Sequence, residues 1–323
     1  MTASIHFSAA LDLDPAGETE RITQAIRENL RGNLRKRGLV LGLSGGIDSS
    51  VCAALAVRAL GEKNVFGVMM PESDSDPDSL RLGRLVAKTF GIDNLVEDIG
   101  PALAAMGCYE RRDGFIRAVA PDYGPGWASK IVFDNALTTG GYNISSLVVR
   151  SPEGETRKLR LPAQAYLGIV AATNMKQRTR KQIEYYHADR LNYAVIGTPN
   201  RLEYDQGFFV KNGDGAADIK PIAHLYKTQV YQLAVHLGVP AEICARPPTT
   251  DTYSLAQTQE EFYFALPYAK MDLCLYGLDH SVPAADIADA INLTPSQVEV
   301  VWKDIAAKRK VARYLHMSAL LVG

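Results

Sequence analysis

Cysteine is scarce and scattered. The 323 residues hold four, Cys52, Cys108, Cys244 and Cys274, with no CxxC pair among them. That spacing excludes a zinc ribbon, a dithiol redox centre and a disulfide framework, and leaves reduced, mostly buried thiols. An excess of one charge is also missing. Lysine and arginine total 35 against 36 acidic residues, a net charge of −1, so no basic field marks nucleic acid as a partner. No apolar run is long enough to span a bilayer. The start, MTASIHFSAALDLDPAGETE, lacks the basic-then-apolar order of a secretory signal. The expectation is a cytoplasmic protein with neither a membrane nor a nucleic-acid partner. A Ser-His-Asp or Cys-His signature is absent too, so a covalent side-chain nucleophile is not expected. What is present is ordinary globular material: 47% hydrophobic and 22% charged residues, in a chain long enough for a sizeable core.

The N-terminal third alternates between two periodicities. Residues 16–36 carry Ile22, Ile26, Leu30 and Leu34 at helical spacing, one apolar stripe that either faces a partner or faces the chain's own core. LVLGL (39–43), NVFGVMM (64–70) and NLVEDIG (94–100) have the character of buried strands. Between them, 48–61 and 78–91 have the character of helices closed by glycine. Strand and helix in alternation predict an α/β fold: a doubly wound, Rossmann-like parallel sheet. A long helix is expected over 163–190, a strand over 192–198 and an amphipathic helix over 225–238. Helices over 257–278, 284–291 and 294–315 make a C-terminal helical extension from about residue 252, the last opened by Thr294 as cap and Pro295 in the first turn. Residues 101–160, rich in glycine and proline, form an insertion without a clean period. The whole, 1–323, is expected to be one domain.

The densest chemistry lies in LVLGLSGGIDSS (39–50). A strand that breaks into adjacent glycines and then a helix makes an anion site. Bare backbone lets N–H groups approach phosphate oxygens, and the helix N-terminus adds a favourable dipole. The common nucleotide loop, GxxxxGK[ST], brings a lysine to the phosphates. Here none is present. Gly42, Leu43, Ser44, Gly45, Gly46, Ile47, Asp48 and Ser49 offer amides, hydroxyls and one carboxylate. A carboxylate beside polyphosphate calls for a hard divalent cation between them, so ATP with Mg²⁺ is the expected ligand.

This loop resembles that of the adenine-nucleotide α-hydrolase (PP-loop ATP pyrophosphatase) superfamily, which cleaves ATP between the α and β phosphates and adenylates its acceptor. The stretch GTPNRLEYDQGFFVKNGDGAADIKPIAHLYKTQV (197–230) resembles NAD synthetases of the ammonia-dependent type. Gly197, Thr198, Glu203, Gly207–Phe209, Lys211, Gly213–Gly215, Asp218, Lys227 and Gln229 carry the likeness. NMKQRTRK (174–181) and RPPTTD (246–251) extend it. The resemblance implies that Thr198, Lys227 and Thr249 contact ATP, and that Arg178, Lys211, Asp218 and His316 contact deamido-NAD. Glu203 joins Asp48 at the metal. Asp48, Lys227 and Asp218 are the candidate catalytic residues, Asp218 as the group that handles the ammonium proton. The same likeness implies a homodimer, with nitrogen supplied as free ammonia or by a separate glutaminase. Phe208 and Phe209 are expected to be packing residues, and Arg178 and Lys181, in isolation, a solvated face paired with Glu184.

Three departures accompany the likeness. Met317 stands where a C-terminal lysine is usual, the insertion at 101–160 is long, and 252–277 keeps little of the usual Gly-Gln-x-Asp-Glu run. The implied activity is ATP-dependent amidation of deamido-NAD. The alternatives are an adenylating amide ligase for another carboxylate, or a nucleotide-binding regulator without catalysis.

Overall fold

The computed structural model describes residues 9–133, 145–248, 252–258, 262–264 and 266–322. Helix α1 (Pro15–Asn29) starts at Asp14, whose carboxylate accepts the Ala16 N–H at 3.2 Å, with proline at its first position. It widens into a π turn, Leu30–Leu34, and ends at Arg35 with φ 53°. Ile22, Ile26 and Leu30 are buried in the main core, so the apolar stripe faces the chain's own interior.

Four parallel strands follow the alternation read from the sequence: β1 (Leu39–Gly42), β2 (Val65–Met69), β3 (Asp93–Val96) and β7 (Ala194–Val195), in the order β3-β2-β1-β7. Helix α2 (Ile47–Leu60) joins β1 to β2, and α3 (Pro77–Phe90) joins β2 to β3. Leu39, Val40 and Leu41 are fully buried, as a strand covered on both faces requires. The strand expected over 192–198 shortens to Ala194–Val195, continued by a single parallel bridge from Ile196 to Ile219.

The insertion is more regular than its composition suggests. It holds α4 (Gly100–Ala105), α5 (Cys108–Arg117) and a separate antiparallel sheet. That sheet runs β4 (Ala128–Phe133), β5 (Ser145–Arg150) and β6 (Thr156–Arg160), so β4 is an edge. It packs on α6 (Ala163–Leu191) through Ile131, Leu147, Val149, Ala165 and Ile169.

Beyond β7 come α7 (Arg201–Gln206), α8 (Lys227–Leu237), the short α9 (Ala241–Ala245), and α10 (Tyr268–Asp279), α11 (Ala284–Ile291) and α12 (Pro295–His316). The last three build a second core around Met271, Leu275, Ile287, Val298, Val301 and Ile305, joined by Leu202 and Tyr226 from the α/β body. The helix expected over 257–278 begins only at Tyr268, after Pro267. Part of the stretch ahead of it, residues 254–257, bonds instead to β4. Among the described residues, no helix is long and apolar enough to cross a membrane.

Candidate active site

The glycine loop leaves β1 and turns directly into α2. Gly45 has φ +74°, a conformation that side chains with a Cβ rarely adopt. A Cβ there would also stand 2.6 Å from Leu82 Cβ and 2.8 Å from the Ser79 carbonyl oxygen. The turn is therefore held against α3 at a distance only glycine allows. Ser44 Oγ accepts the Gly46 N–H at 3.2 Å and lies 3.0 Å from Ser49 Oγ. Gly46 caps α2 with no side chain of its own, leaving the helix N-terminus bare toward the cavity. Gly45→Ala is expected to lower the thermal midpoint and raise the KM for ATP about tenfold, since strain of roughly 1–3 kcal/mol and a backbone clash both displace the loop. An ATP titration with an unchanged KM would refute this.

A cavity of about 770 Å³ opens in front of the loop, within the range that holds small-molecule ligands. Gly42, Leu43, Ser44, Gly46, Ile47, Asp48 and Ser49 line one side, while Thr198, Glu203, Arg178 and Lys211 also line it. Gly45 shapes the turn without lining the cavity.

Asp48 is the centre of the polar network. Its carboxylate takes a hydrogen bond from Asn200 Nδ2 at 3.2 Å and an ion pair from Lys227 Nζ. Lys227 is fully buried at the first position of α8. An ammonium there opposes the helix dipole and its own hydration. Burial works against the charge, yet Asp48 and then Glu203 outweigh it and raise the Lys227 pKa above the ordinary lysine value. The start of α8 is fixed from two sides. Gln229 Oε1 accepts the Tyr226 N–H at 3.0 Å. Asp272, a buried carboxylate on α10, accepts the Lys227 and Thr228 N–H groups at 3.2 and 2.7 Å. The C-terminal helices thus help to aim Lys227.

Glu203 opens α7 in a capping box with Asn200. Its Oε2 accepts the Asn200 N–H at 3.1 Å, and Asn200 Oδ1 accepts the Glu203 N–H at 3.2 Å. Burial, then repulsion from Asp48, push the Glu203 pKa up to about 8, with Lys227 pulling the other way. Two carboxylates that compete for ionisation are a donor set suited to a hard divalent cation, so Asp48 and Glu203 fit Mg²⁺ by their chemistry. The sign of the linkage follows. The folded pKa lies above the unfolded carboxylate value of 4.5, so the native state loses stability as pH rises from there through about 8. Burial pushes Asp272 to about 6 in the same sense, a window that closes lower. Without metal, wild type is therefore expected to lose thermal stability between about pH 6.5 and 8.5, and Glu203→Gln, which keeps the cap to Asn200, is expected to flatten that loss. Parallel pH series of melting midpoints with the same slope for both proteins would contradict it.

The remaining sequence candidates fall into three groups. Arg178 and Lys211 line the cavity and touch: Arg178 Nε donates to the Lys211 carbonyl at 3.2 Å. Lys211 Nζ also donates to the Tyr314 and Met317 carbonyls at 2.7 and 2.9 Å, closing the end of α12. Asp218 and His316 are not among the lining residues. Asp218 is exposed, and its carboxylate accepts the Val195 N–H at 2.7 Å and the Tyr185 hydroxyl at 3.3 Å. It braces the end of β7, because the Val195 N–H has no strand partner on that side. His316 packs its ring on Tyr204 and Phe209 and bonds the Tyr204 carbonyl at 2.9 Å, so it backs the cavity wall. Thr249 lies outside the described residues.

Several residues gain their role only from the structure. Asn200 joins Asp48 to Glu203. Lys181 and Glu184 form a buried pair at 2.6 Å in the cavity wall, not a solvated face, and Glu184 Oε1 would stand 2.9 Å from any Cβ on Gly42. Phe208 and Phe209 pack as expected but also line the cavity. Lys176 is buried and bonds Glu72 Oε1 at 3.0 Å and Asp74 Oδ2 at 2.6 Å. Arg112 pairs with the same Asp74, and Tyr109 donates to Glu72.

Residues 18–116 and 153–312 match the family model described as NAD synthase. The NH(3)-dependent NAD(+) synthetase of Rhizobium meliloti (strain 1021) is 72% identical over 317 residues, 98% of this chain and 95% of that one. Among solved structures, an NMN synthetase from Francisella tularensis superposes with a TM-score of 0.64 at 22% identity, covering 96% of this chain and 99% of that one. An NH3-dependent NAD synthetase from Campylobacter jejuni gives 0.60 at 22%, covering 96% and 100%. The two structures bear out the α/β fold. The family match over both halves of the chain, with a relative at this identity, leads to one conclusion: the chain belongs to the NAD synthase family.

Proposed function

We infer that the chain makes NAD by amidating the nicotinate carboxylate of deamido-NAD with ammonia, at the expense of ATP. The single observation that supports this best is the Asp48–Lys227–Asn200–Glu203 network, placed where the glycine loop meets a cavity of nucleotide size.

The substrate carboxylate attacks the α-phosphorus of ATP. The acyl–O–P bond forms, the bond to the β-phosphate oxygen breaks, and pyrophosphate leaves. Ammonia then attacks the acyl carbon, the acyl C–O bond to the phosphate breaks, AMP departs and one proton of the attacking nitrogen passes to solvent, leaving the amide. A free carboxylate is a poor acyl donor at neutral pH, and the adenylate supplies its leaving group. In our assignment, Ser44, Gly46 and Ser49 and the bare N-terminus of α2 hold the departing pyrophosphate. Lys227 sits close behind Asp48 and offsets charge there. Asp48 and Glu203 would hold Mg²⁺, which when bound neutralises phosphate charge. Thr198 faces ATP, with Thr249 assigned to the same substrate. Arg178 and Lys211 face the dinucleotide. His316, packed on Tyr204 and Phe209, is assigned to the same dinucleotide. Asp218 has a structural task at β7, so we leave it out of proton transfer. Positioning and electrostatics supply the rate.

The nitrogen source in this reading is ammonia itself or a separate glutaminase. A cytoplasmic setting agrees with four unpaired cysteines, three of them buried. Homodimerisation belongs to the same proposal, although the α1 stripe cannot serve it, being buried in the chain's own core. The test is identification by mass spectrometry of the product formed from ATP, ammonia and deamido-NAD. NAD, AMP and pyrophosphate in equal amounts are expected. Faster turnover of another carboxylic acid would transfer the assignment to a different amide ligase, and ATP binding without AMP formation would leave a regulator.

A further inference from the structure

The inserted sheet leaves one edge of β4 open to the body of the protein, and residues 254–257 run along it. The Leu255 N–H donates to the Ser129 carbonyl at 3.2 Å, and the Ser129 N–H donates to Ser254 Oγ at 2.9 Å. Lys130 Nζ donates to the Ala256 carbonyl at 3.2 Å, and the buried Gln257 Nε2 to the Ile131 carbonyl at 2.6 Å. Three consecutive residues of β4 are thus each joined to this segment. Its near end is held from the other side, where Lys176 Nζ donates to the Thr252 carbonyl at 3.0 Å. Tyr253 is buried in the core of the inserted sheet with Ile131, Tyr166 and Phe262 around it. Thr252, Tyr253 and Phe262 also line the nucleotide cavity, as does Phe133 at the end of β4.

We propose that the inserted sheet is a positioning device for substrate binding: the open edge of β4 clamps residues 254–257 through one main-chain bond and several side-chain bonds, which sets Thr252 and Tyr253 in the cavity wall before substrate arrives. An edge strand offers unpaired N–H and C=O groups that a neighbouring segment can satisfy. A segment of cavity wall held this way gives up little conformational freedom on binding, so the gain appears in KM and not in the chemical step. Ser254 and Gln257 are positioning residues, since they act through the wall and not on the reacting atoms.

The inference rests on the cavity being the substrate site, so its test uses one readout that needs no turnover. In the full-length enzyme, Ser254→Ala with Gln257→Leu should speed amide hydrogen exchange at Leu255 and its neighbours about tenfold while the parallel sheet keeps its protection. The KM for ATP or for deamido-NAD should rise about five- to twentyfold with kcat within about threefold of wild type. Should the double variant fail to fold, Ser254→Ala alone, at a half-buried position, carries the same criteria. Arg157→Ala, which removes an exposed pair between β6 and Asp122 of the turn before β4, should change neither quantity. The proposal falls if exchange over 252–258 is unaltered. It also falls if exchange accelerates while both KM values stay put, or if kcat alone drops. Failure of wild type to turn over deamido-NAD would count against the assigned reaction and leave the exchange result standing.

Discussion

Asp48→Asn is expected to abolish amide formation and to leave the fold in place. The loss should be about a thousandfold or more in kcat/KM, roughly 4 kcal/mol of transition-state stabilisation. The side chain accepts from Asn200 and pairs with buried Lys227, and in the proposed reaction it would also offer an oxygen to Mg²⁺. Asparagine matches its shape and can still accept a bond from Lys227, but it carries no charge for a cation. The buried ammonium is not stranded, because Glu203 is close enough to bias its charge. With Asp48 neutral, burial still raises the Glu203 pKa, but the repulsion that adds to it is gone and Lys227 still pulls it down, so Glu203 is expected to take over as the counter-charge. A variant that melts within a few degrees of wild type yet releases no pyrophosphate is the expected outcome. If Asp48 and Glu203 hold one metal, the double variant with Glu203→Gln should be little worse than Asp48→Asn alone. Pyrophosphate release within tenfold of wild type would remove Asp48 from the metal.

What the sequence made legible here divides by distance along the chain. The loop at 42–49 was readable because strand, turn and helix are contiguous, and the glycine that matters sits where the turn demands positive φ. Asn200 was also within reach. It stands three residues before Glu203, which is capping-box spacing, and the cap orients both side chains around Asp48. The inserted strands carried a short signal as well: SSLVVR (145–150) holds an apolar, β-favouring run, and SPEG (151–154) after it is a turn. Glycine and proline around them hid it. Other features had no local trace. Lys227 meets Asp48 across 179 positions, and only resemblance joined them. Residues 254–257 lack a strand's alternation because their order comes from β4, about 125 positions earlier. Lys181 and Glu184 have the spacing of a solvated pair, and only the cavity wall buries them. Asp218, placed at the substrate by resemblance, is taken up by the short β7, whose last N–H needs an acceptor.

Lys176 shows the same limit and carries the second large effect. A lysine in the middle of a long helix reads as surface, yet this one is 1% exposed. Its ammonium meets a fully buried Glu72 and a nearly buried Asp74, both in the loop after β2, and reaches the Thr252 carbonyl. The loop residues Ser75 and Asp76 and the Thr252 segment all border the cavity, so one side chain ties three parts of its rim together. Lys176→Met keeps the length and removes the charge. Arg112 still faces Asp74, but among the described residues Glu72 keeps only the Tyr109 hydroxyl for its carboxylate. A buried carboxylate stripped of its cation costs about 3–5 kcal/mol, which should lower the melting midpoint by roughly 6–15 °C. Because the cost lies in the stranded charge and not in lost packing, adding Glu72→Gln to Lys176→Met should restore about half of it or more. A double variant no more stable than Lys176→Met would mean that the helix itself, and not the ion cluster, depends on this lysine.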